Sequence, residues 1–233
     1  MSVFNKQKKS MNANIRKLIA KVNPKSPVSE QFRTIRTNIQ FSSVDQEYRS
    51  IMVSSAGPGE GKSTTAANLA VVFAQQGKTV LLVDADMRKP TVHYTFNFPN
   101  TTGLTNILSR QVTLKEAVKD SGVDKLHILS SGPVPPNPAE LLSSRAMENF
   151  FEEAYKEYDL IIFDTPPVLV VTDAQIMANQ CHGSILVVSS GKTEMDPAKK
   201  AKELLQSTKG KLLGCVLNNK KASETDYYYY YGN

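Results

Sequence analysis

Residues 49–75, RSIMVSSAGPGEGKSTTAANLAVVFAQ, constrain this chain more than any other stretch. Ile51, Met52 and Val53 form a short apolar run of the kind that makes a buried strand. The turn Ala56-Gly57-Pro58-Gly59-Glu60-Gly61 follows, and then Lys62-Ser63-Thr64. From Thr65 the apolar positions Ala66, Leu69, Ala70 and Phe73 recur at helical spacing, so the turn opens a helix. Strand, glycine turn, Lys-Ser and helix together are the setting of a phosphate-binding P-loop. Glycines let the backbone curl until successive N–H groups point inward at an anion. The helix N-terminus adds partial positive charge. Lys62 supplies a mobile full charge for the β- and γ-phosphates, and the Ser63 hydroxyl is a magnesium ligand. Gly57, Pro58, Gly59, Glu60, Gly61, Lys62, Ser63 and Thr64 are therefore the expected nucleotide-binding set. The first motif position is Ala56 rather than glycine, a change that a small residue tolerates.

At 233 residues the chain fits one α/β domain with a large core. Two cysteines, Cys181 and Cys215, are too few for a disulfide framework and point to a reducing cytoplasm. No apolar stretch approaches the roughly 18 residues needed to span a bilayer, and no signal-peptide core opens the chain. Any membrane association is expected to be indirect. The net charge of +6 is uneven: residues 1–29 hold seven basic residues and no acidic one. Such an arm suits an anionic lipid surface, an acidic partner, or merely solvent. Nucleic acid is the weakest reading, because no aromatic residues interleave with the charges.

Ser29 to Arg36 reads as the start of an amphipathic helix with Ser29 as N-cap. Glu30, Arg33 and Arg36 lie three apart, along one exposed side, while Phe32, Ile35 and Ile39 face inward. Behind the P-loop helix, Val80-Leu81-Leu82-Val83 suits a central parallel strand. It runs into Asp84-Ala85-Asp86-Met87-Arg88, placing two carboxylates at the strand end where α/β proteins bind ligands. Residues 91–125 read as helices and loops, followed by a strand at His127-Ile128-Leu129 and a helix capped by Asn137 with Pro138 first. Leu160-Ile161-Ile162-Phe163 closed by Asp164 is a Walker B pattern, whose carboxylate holds magnesium directly or through water. Ile185 to Val188 and Leu212 to Leu217 complete the sheet, with a helix from Pro197 to about Ser207 between them. Repeated strand-then-helix units predict a mostly parallel sheet covered on both faces.

The chain closes on Asp226 and five consecutive tyrosines, Tyr227, Tyr228, Tyr229, Tyr230 and Tyr231, out of nine in all. A terminal run of this kind is expected to be exposed. The organisation expected from these features is a basic arm over 1–28, a P-loop domain over 29–220 and a tyrosine-rich tail over 221–233.

With the P-loop, Asp84-x-Asp86-x-Arg88, Asp164-Thr-Pro-Pro and the tyrosine tail together, the chain resembles a bacterial tyrosine kinase over essentially its whole length. It is similar to the separate cytoplasmic kinase subunit of capsule and exopolysaccharide synthesis, a P-loop NTPase fold of the MinD/ParA-like type. That resemblance implies ATP and Mg2+ as cofactors and Lys62, Asp84, Asp86 and Arg88 as catalytic residues. Ser63, Asp86 and Asp164 would hold the metal. Asp84 would accept the phenolic proton, although spacing alone supports either aspartate. Glu30, Arg33 and Arg36 match the family's Glu-x-x-Arg-x-x-Arg oligomerisation helix, which implies a ring-like homo-oligomer. The resemblance further implies the cytoplasmic tail of a membrane adaptor as activator at the inner face of the membrane. A tyrosine phosphatase, exogenous protein substrates and the chain's own tyrosine cluster as phosphoacceptor are implied as well. Two other readings stay open on the residues. A partitioning or cell-division ATPase shares the plan but carries a signature lysine where this chain has Gly57. A non-catalytic nucleotide switch would not need Lys62, Ser63, Asp84, Asp86 and Asp164 all intact.

Overall fold

In the computed structural model the described residues are 18–42 and 47–221. Most of the basic arm and the whole tyrosine cluster, Tyr227 to Tyr231, lie outside them. The elements follow in chain order: α1 (Ile19–Val22), α2 (Pro27–Phe41), β1 (Ser50–Ser55), α3 (Lys62–Gln75), β2 (Val80–Asp84), α4 (Val92–Phe96), α5 (Leu104–Leu108), α6 (Leu114–Ala117), β3 (Lys119–Val123), β4 (Leu126–Leu129), α7 (Pro138–Leu142), α8 (Arg145–Glu157), β5 (Leu160–Asp164), α9 (Asp173–Gln180), β6 (Gly183–Ser189), α10 (Met195–Gln206) and β7 (Lys211–Asn218).

The strands form one seven-stranded sheet in the order β3-β4-β2-β5-β1-β6-β7, parallel except where β3 runs antiparallel to β4. Parallel strands between two helical layers are apolar on both faces, and the strand residues divide accordingly. Ile51, Val53, Val80, Leu82, Leu160 and Ile162 point to the layer of α1, α2 and α3. Met52, Leu81, Val83, Ile161 and Phe163 point to the opposite layer, where they meet Phe150 and Phe151 of α8. The α/β fold class read from the sequence is therefore the one observed.

Three local expectations differ. The α2 cap is Ser26, whose hydroxyl accepts from Ser29 N at 3.1 Å with Pro27 at the first turn. Ser29 is buried instead, its hydroxyl donating to Asn23 O at 2.7 Å. Leu18 and Ala20 belong to the core, and the Ala20 amide donates to Asn68 Oδ1 at 2.9 Å. Packing thus reaches into the stretch expected to be arm. Finally, residues 119–123, read as loop, supply the edge strand β3. Among the described residues no helix is long and apolar enough to cross a membrane.

Candidate active site

Sheet order brings the motifs together. β5 lies between β1 and β2, and Asp164 pairs in register with Asp84 on one side and with Val53 on the other. The P-loop, the aspartate pair and the Walker B carboxylate therefore share the carboxyl end of three adjacent strands, where open α/β sheets bind ligands. Gly61 caps α3 at φ 99°, and Gly59 sits at φ 73°, left-handed conformations that suit glycine. The Glu60 side chain folds back across the loop, its Oε2 accepting from Ala56 N at 3.1 Å.

Lys62 is the hub of the site. Its ammonium donates to Asp86 Oδ2 at 2.9 Å, to Asp164 Oδ1 at 3.2 Å and to Ser63 Oγ at 3.3 Å. Burial works against its charge, but Asp164 and Asp86 outweigh that and hold its pKa above the usual lysine value. Asp84 and Asp164 are fully buried. Burial raises the pKa of both, opposed at Asp164 chiefly by Lys62. At Asp84 the Asp164 charge adds to the rise, while amide bonds from Val92 and Thr91 resist it. Those amides donate to Asp84 Oδ2 at 2.9 Å each, and Asp86 N donates to Oδ1 at 3.2 Å. Asp84 thus shapes the turn that carries Asp86 and Arg88.

Arg88 is held from a direction the sequence did not indicate. Its Nε and Nη2 donate to Asp173 Oδ2 and Oδ1 at 2.8 and 3.0 Å. Asp173 opens α9 and is wholly buried, whereas the Arg88 side chain keeps 41% of its surface exposed. A bidentate clamp fixes the plane of a guanidinium. The only signal for Asp173 was an acidic residue at the first turn of a helix shortly after the Walker B strand.

Asp84, Asp86 and Asp164 set three carboxylates against one ammonium, and Asp164 Oδ2 is buried without a hydrogen-bond partner. Hard oxygen donors with a surplus of negative charge fit Mg2+. Among the described residues no group of three or more His, Cys, Asp or Glu is arranged to hold a metal unaided.

The expected oligomerisation residues differ in their partners. Glu30 and Arg33 pair with each other on α2. Arg36 does not join them on an exposed side: its Nη1 donates to Val72 O of α3 at 2.9 Å, and Nε is buried without a partner. Arg36 thus ties α2 to α3 while staying within electrostatic reach of Glu30 and Arg33.

Residues 48–195, more than half of the chain, match the family model described as AAA domain. The chain is similar to tyrosine-protein kinase YwqD of Bacillus subtilis, 59% identical over 217 residues that cover 93% of this chain and 92% of that protein. It is 40% identical over 209 residues to tyrosine-protein kinase CpsD of Streptococcus agalactiae serotype III, covering 89% of each. Among solved structures, the chimerical protein CapA2B2 superposes with a TM-score of 0.86 at 47% identity, over 89% of this chain and 91% of that one. The septum site-determining protein MinD of Pyrococcus horikoshii, 24% identical at a TM-score of 0.63 over 76% of this chain and 73% of that one, shares the fold. A P-loop whose lysine reaches two buried aspartates, followed by relatives matched nearly end to end, leads to one conclusion: this chain belongs to the bacterial tyrosine-protein kinases, built on a nucleotide-binding P-loop domain.

Proposed function

We propose that this kinase uses ATP with Mg2+ to phosphorylate its own tyrosine cluster, Tyr227 to Tyr231, from one copy to another. The observation that carries the reading is where the sheet ends. β7 is parallel to β6 and finishes beside the P-loop, with Asn218 Nδ2 donating to Glu60 O at 2.9 Å. The chain therefore leaves the domain at the catalytic edge. About nine residues separate Asn218 from Tyr227, a reach of roughly 30 Å when extended. That is enough to approach a neighbouring active site.

Ser63, Asp86 and Asp164 are the residues that would hold the metal, whose chemistry is to neutralise charge on the transferring phosphoryl group. The Lys62 ammonium, now shared between Asp86 and Asp164, would contribute to the same neutralisation together with the P-loop amides. The Arg88 guanidinium, fixed by Asp173 and still partly exposed, would be available to the acceptor or the transferring phosphoryl group. A tyrosine of ordinary pKa is neutral at pH 7, so the phenol needs a proton acceptor. We assign that role to Asp84. Its Oδ1 accepts one backbone amide among the described residues, from Asp86, which leaves a lone pair for the phenol. Asp86, engaged with Lys62 and with the Lys89 amide at 3.0 Å, is assigned to the metal.

In the wider setting we place the protein in capsule or exopolysaccharide synthesis, in the cytoplasm and recruited to the membrane by the cytoplasmic tail of an adaptor. A basic arm over 1–28 would suit such recruitment. Self-assembly into a ring would use Glu30 and Arg33, a phosphatase would reset the tail, and other protein substrates would be phosphorylated as well. The direct test is to incubate the full chain and an adaptor fragment with labelled ATP and to look for phosphotyrosine. Mixing an inactive full-length copy with an active copy lacking residues 222–233 tests the trans route. Label on the inactive copy supports it, and an unlabelled inactive copy, where the intact active chain alone labels itself, refutes it.

A further inference from the structure

Side chains from the ends of β6 and β7 hold the carbonyls of the P-loop. A trans peptide holds its C=O and the following N–H in opposite directions, and no cis peptide occurs among the described residues. Gripping a loop carbonyl from outside therefore turns the next residue's N–H inward. Three consecutive carbonyls are gripped in this way. The Lys192 ammonium donates to Pro58 O at 2.9 Å and to Gly59 O at 3.1 Å. Asn218 Nδ2 donates to Glu60 O at 2.9 Å. The N–H groups set by these contacts belong to Gly59, Glu60 and Gly61.

Such a grip has work to do here. Gly59 and Gly61 take left-handed conformations that glycine explores freely, so the loop alone would not hold one arrangement. The gripping residues are themselves secured. Lys192 stands in a tight turn after β6, closed by Thr193 N on Ser189 O at 2.9 Å and Ser189 N on Thr193 Oγ1 at 2.8 Å. Asn218 ends β7, where Ser190 N donates to its carbonyl at 2.8 Å and Asn219 Nδ2 reaches Ser189 Oγ at 2.9 Å. The ends of β6 and β7 are thus tied together and to the loop.

We propose that Lys192 and Asn218 are positioning residues of the nucleotide site, bracing the P-loop from outside so that its amides are preorganised for phosphate. A preorganised binder keeps affinity that a mobile one spends on ordering. The brace concerns phosphate alone and does not depend on which hydroxyl receives the phosphoryl group.

The test uses the full chain and two probes, ADP with Mg2+ and inorganic tripolyphosphate with Mg2+, titrated by calorimetry. Lys192→Met and Asn218→Ala should each weaken both probes by roughly tenfold, the effect of one lost charge-assisted or well-set hydrogen bond. Lys192→Arg, which can still donate to two carbonyls, should restore most of the loss. In the kinase reaction the variants should raise the KM for ATP more than they lower kcat. Unchanged tripolyphosphate affinity in both variants would overturn the proposal. So would a loss confined to ADP, because that would assign these residues to the base or ribose. Wild-type binding of both probes is the separate control for the nucleotide site itself, so the brace is judged on the ratio of variant to wild-type affinity. Lys192 is exposed, and Lys192→Gln provides a second variant of the same kind should the methionine form prove insoluble.

Discussion

Lys62 is shared by two buried carboxylates, which makes its substitution a structural event as well as a chemical one. Breaking a buried ion pair from one side costs about 3–5 kcal/mol because the partner charge is left unpaired. Lys62→Met should therefore lower the urea midpoint as well as reduce phosphotyrosine formation by at least about a hundredfold, the scale of losing one transition-state charge partner. Adding Asp86→Asn should recover part of the stability and none of the activity. A Lys62→Met protein that keeps both wild-type stability and wild-type autophosphorylation would sink this account of the site. Asp173 acts at one remove, through Arg88. Asp173→Asn loses a charge-assisted fork and should lower kcat by about tenfold or more with little change in ATP KM. Asp173→Glu should restore part of it. An unchanged kcat would reduce the clamp to a fold contact.

At the scale of elements, α2 has two sides with different jobs. Among the described residues Arg33 pairs with Glu30 on its own helix, whereas Arg36 ties α2 to α3 through Val72 O. Arg33→Glu should weaken self-association in sedimentation while leaving nucleotide affinity alone. Arg36→Ala should cost about 1 kcal/mol of stability through the lost helix-to-helix bond. If Arg33→Glu leaves the oligomer mass unchanged, α2 is not the interface. The same elements show what a sequence can and cannot disclose. β1, β2, β5 and β6 were legible because strands buried on both faces are continuous apolar runs. β3, Lys-Asp-Ser-Gly-Val, was not, because an antiparallel edge strand is half solvated and reads as loop. The P-loop and the Asp-x-Asp-x-Arg turn were legible because their residues are contiguous. Asp173, Lys192 and Asn218 were not, because only the strand order β5-β1-β6-β7 and the packing of α9 bring them to the site. Ser29 misled as a cap because Ser26-Pro27 carries the stronger start signal three residues earlier.

For the whole molecule, the balance of charge links the tail to assembly. Each phosphotyrosine adds about −1.5 to −2 charges, so four or five modified tyrosines would add roughly −6 to −10. The chain's net charge is +6, so full modification would neutralise or reverse it. If the protein assembles into the ring proposed above through Arg33-bearing surfaces, that ring should then fall apart. Changing Tyr227 to Tyr231 to Phe should leave ATP binding intact, remove most phosphate acceptance and keep the oligomer assembled. Equal oligomer masses for the phosphorylated and five-Phe proteins at physiological salt would refute that cycle. One contact gives the tail a mechanical meaning as well. Asn218, the last residue of the sheet, is fastened to the P-loop carbonyl of Glu60, so the tether leading to the tyrosines is moored at the nucleotide site. A neighbour that seizes the tail pulls on a line whose far end is knotted to the donor's own phosphate cradle. Tension in that line would reach the joined ends of β6 and β7 and, through Asn218, the donor's P-loop.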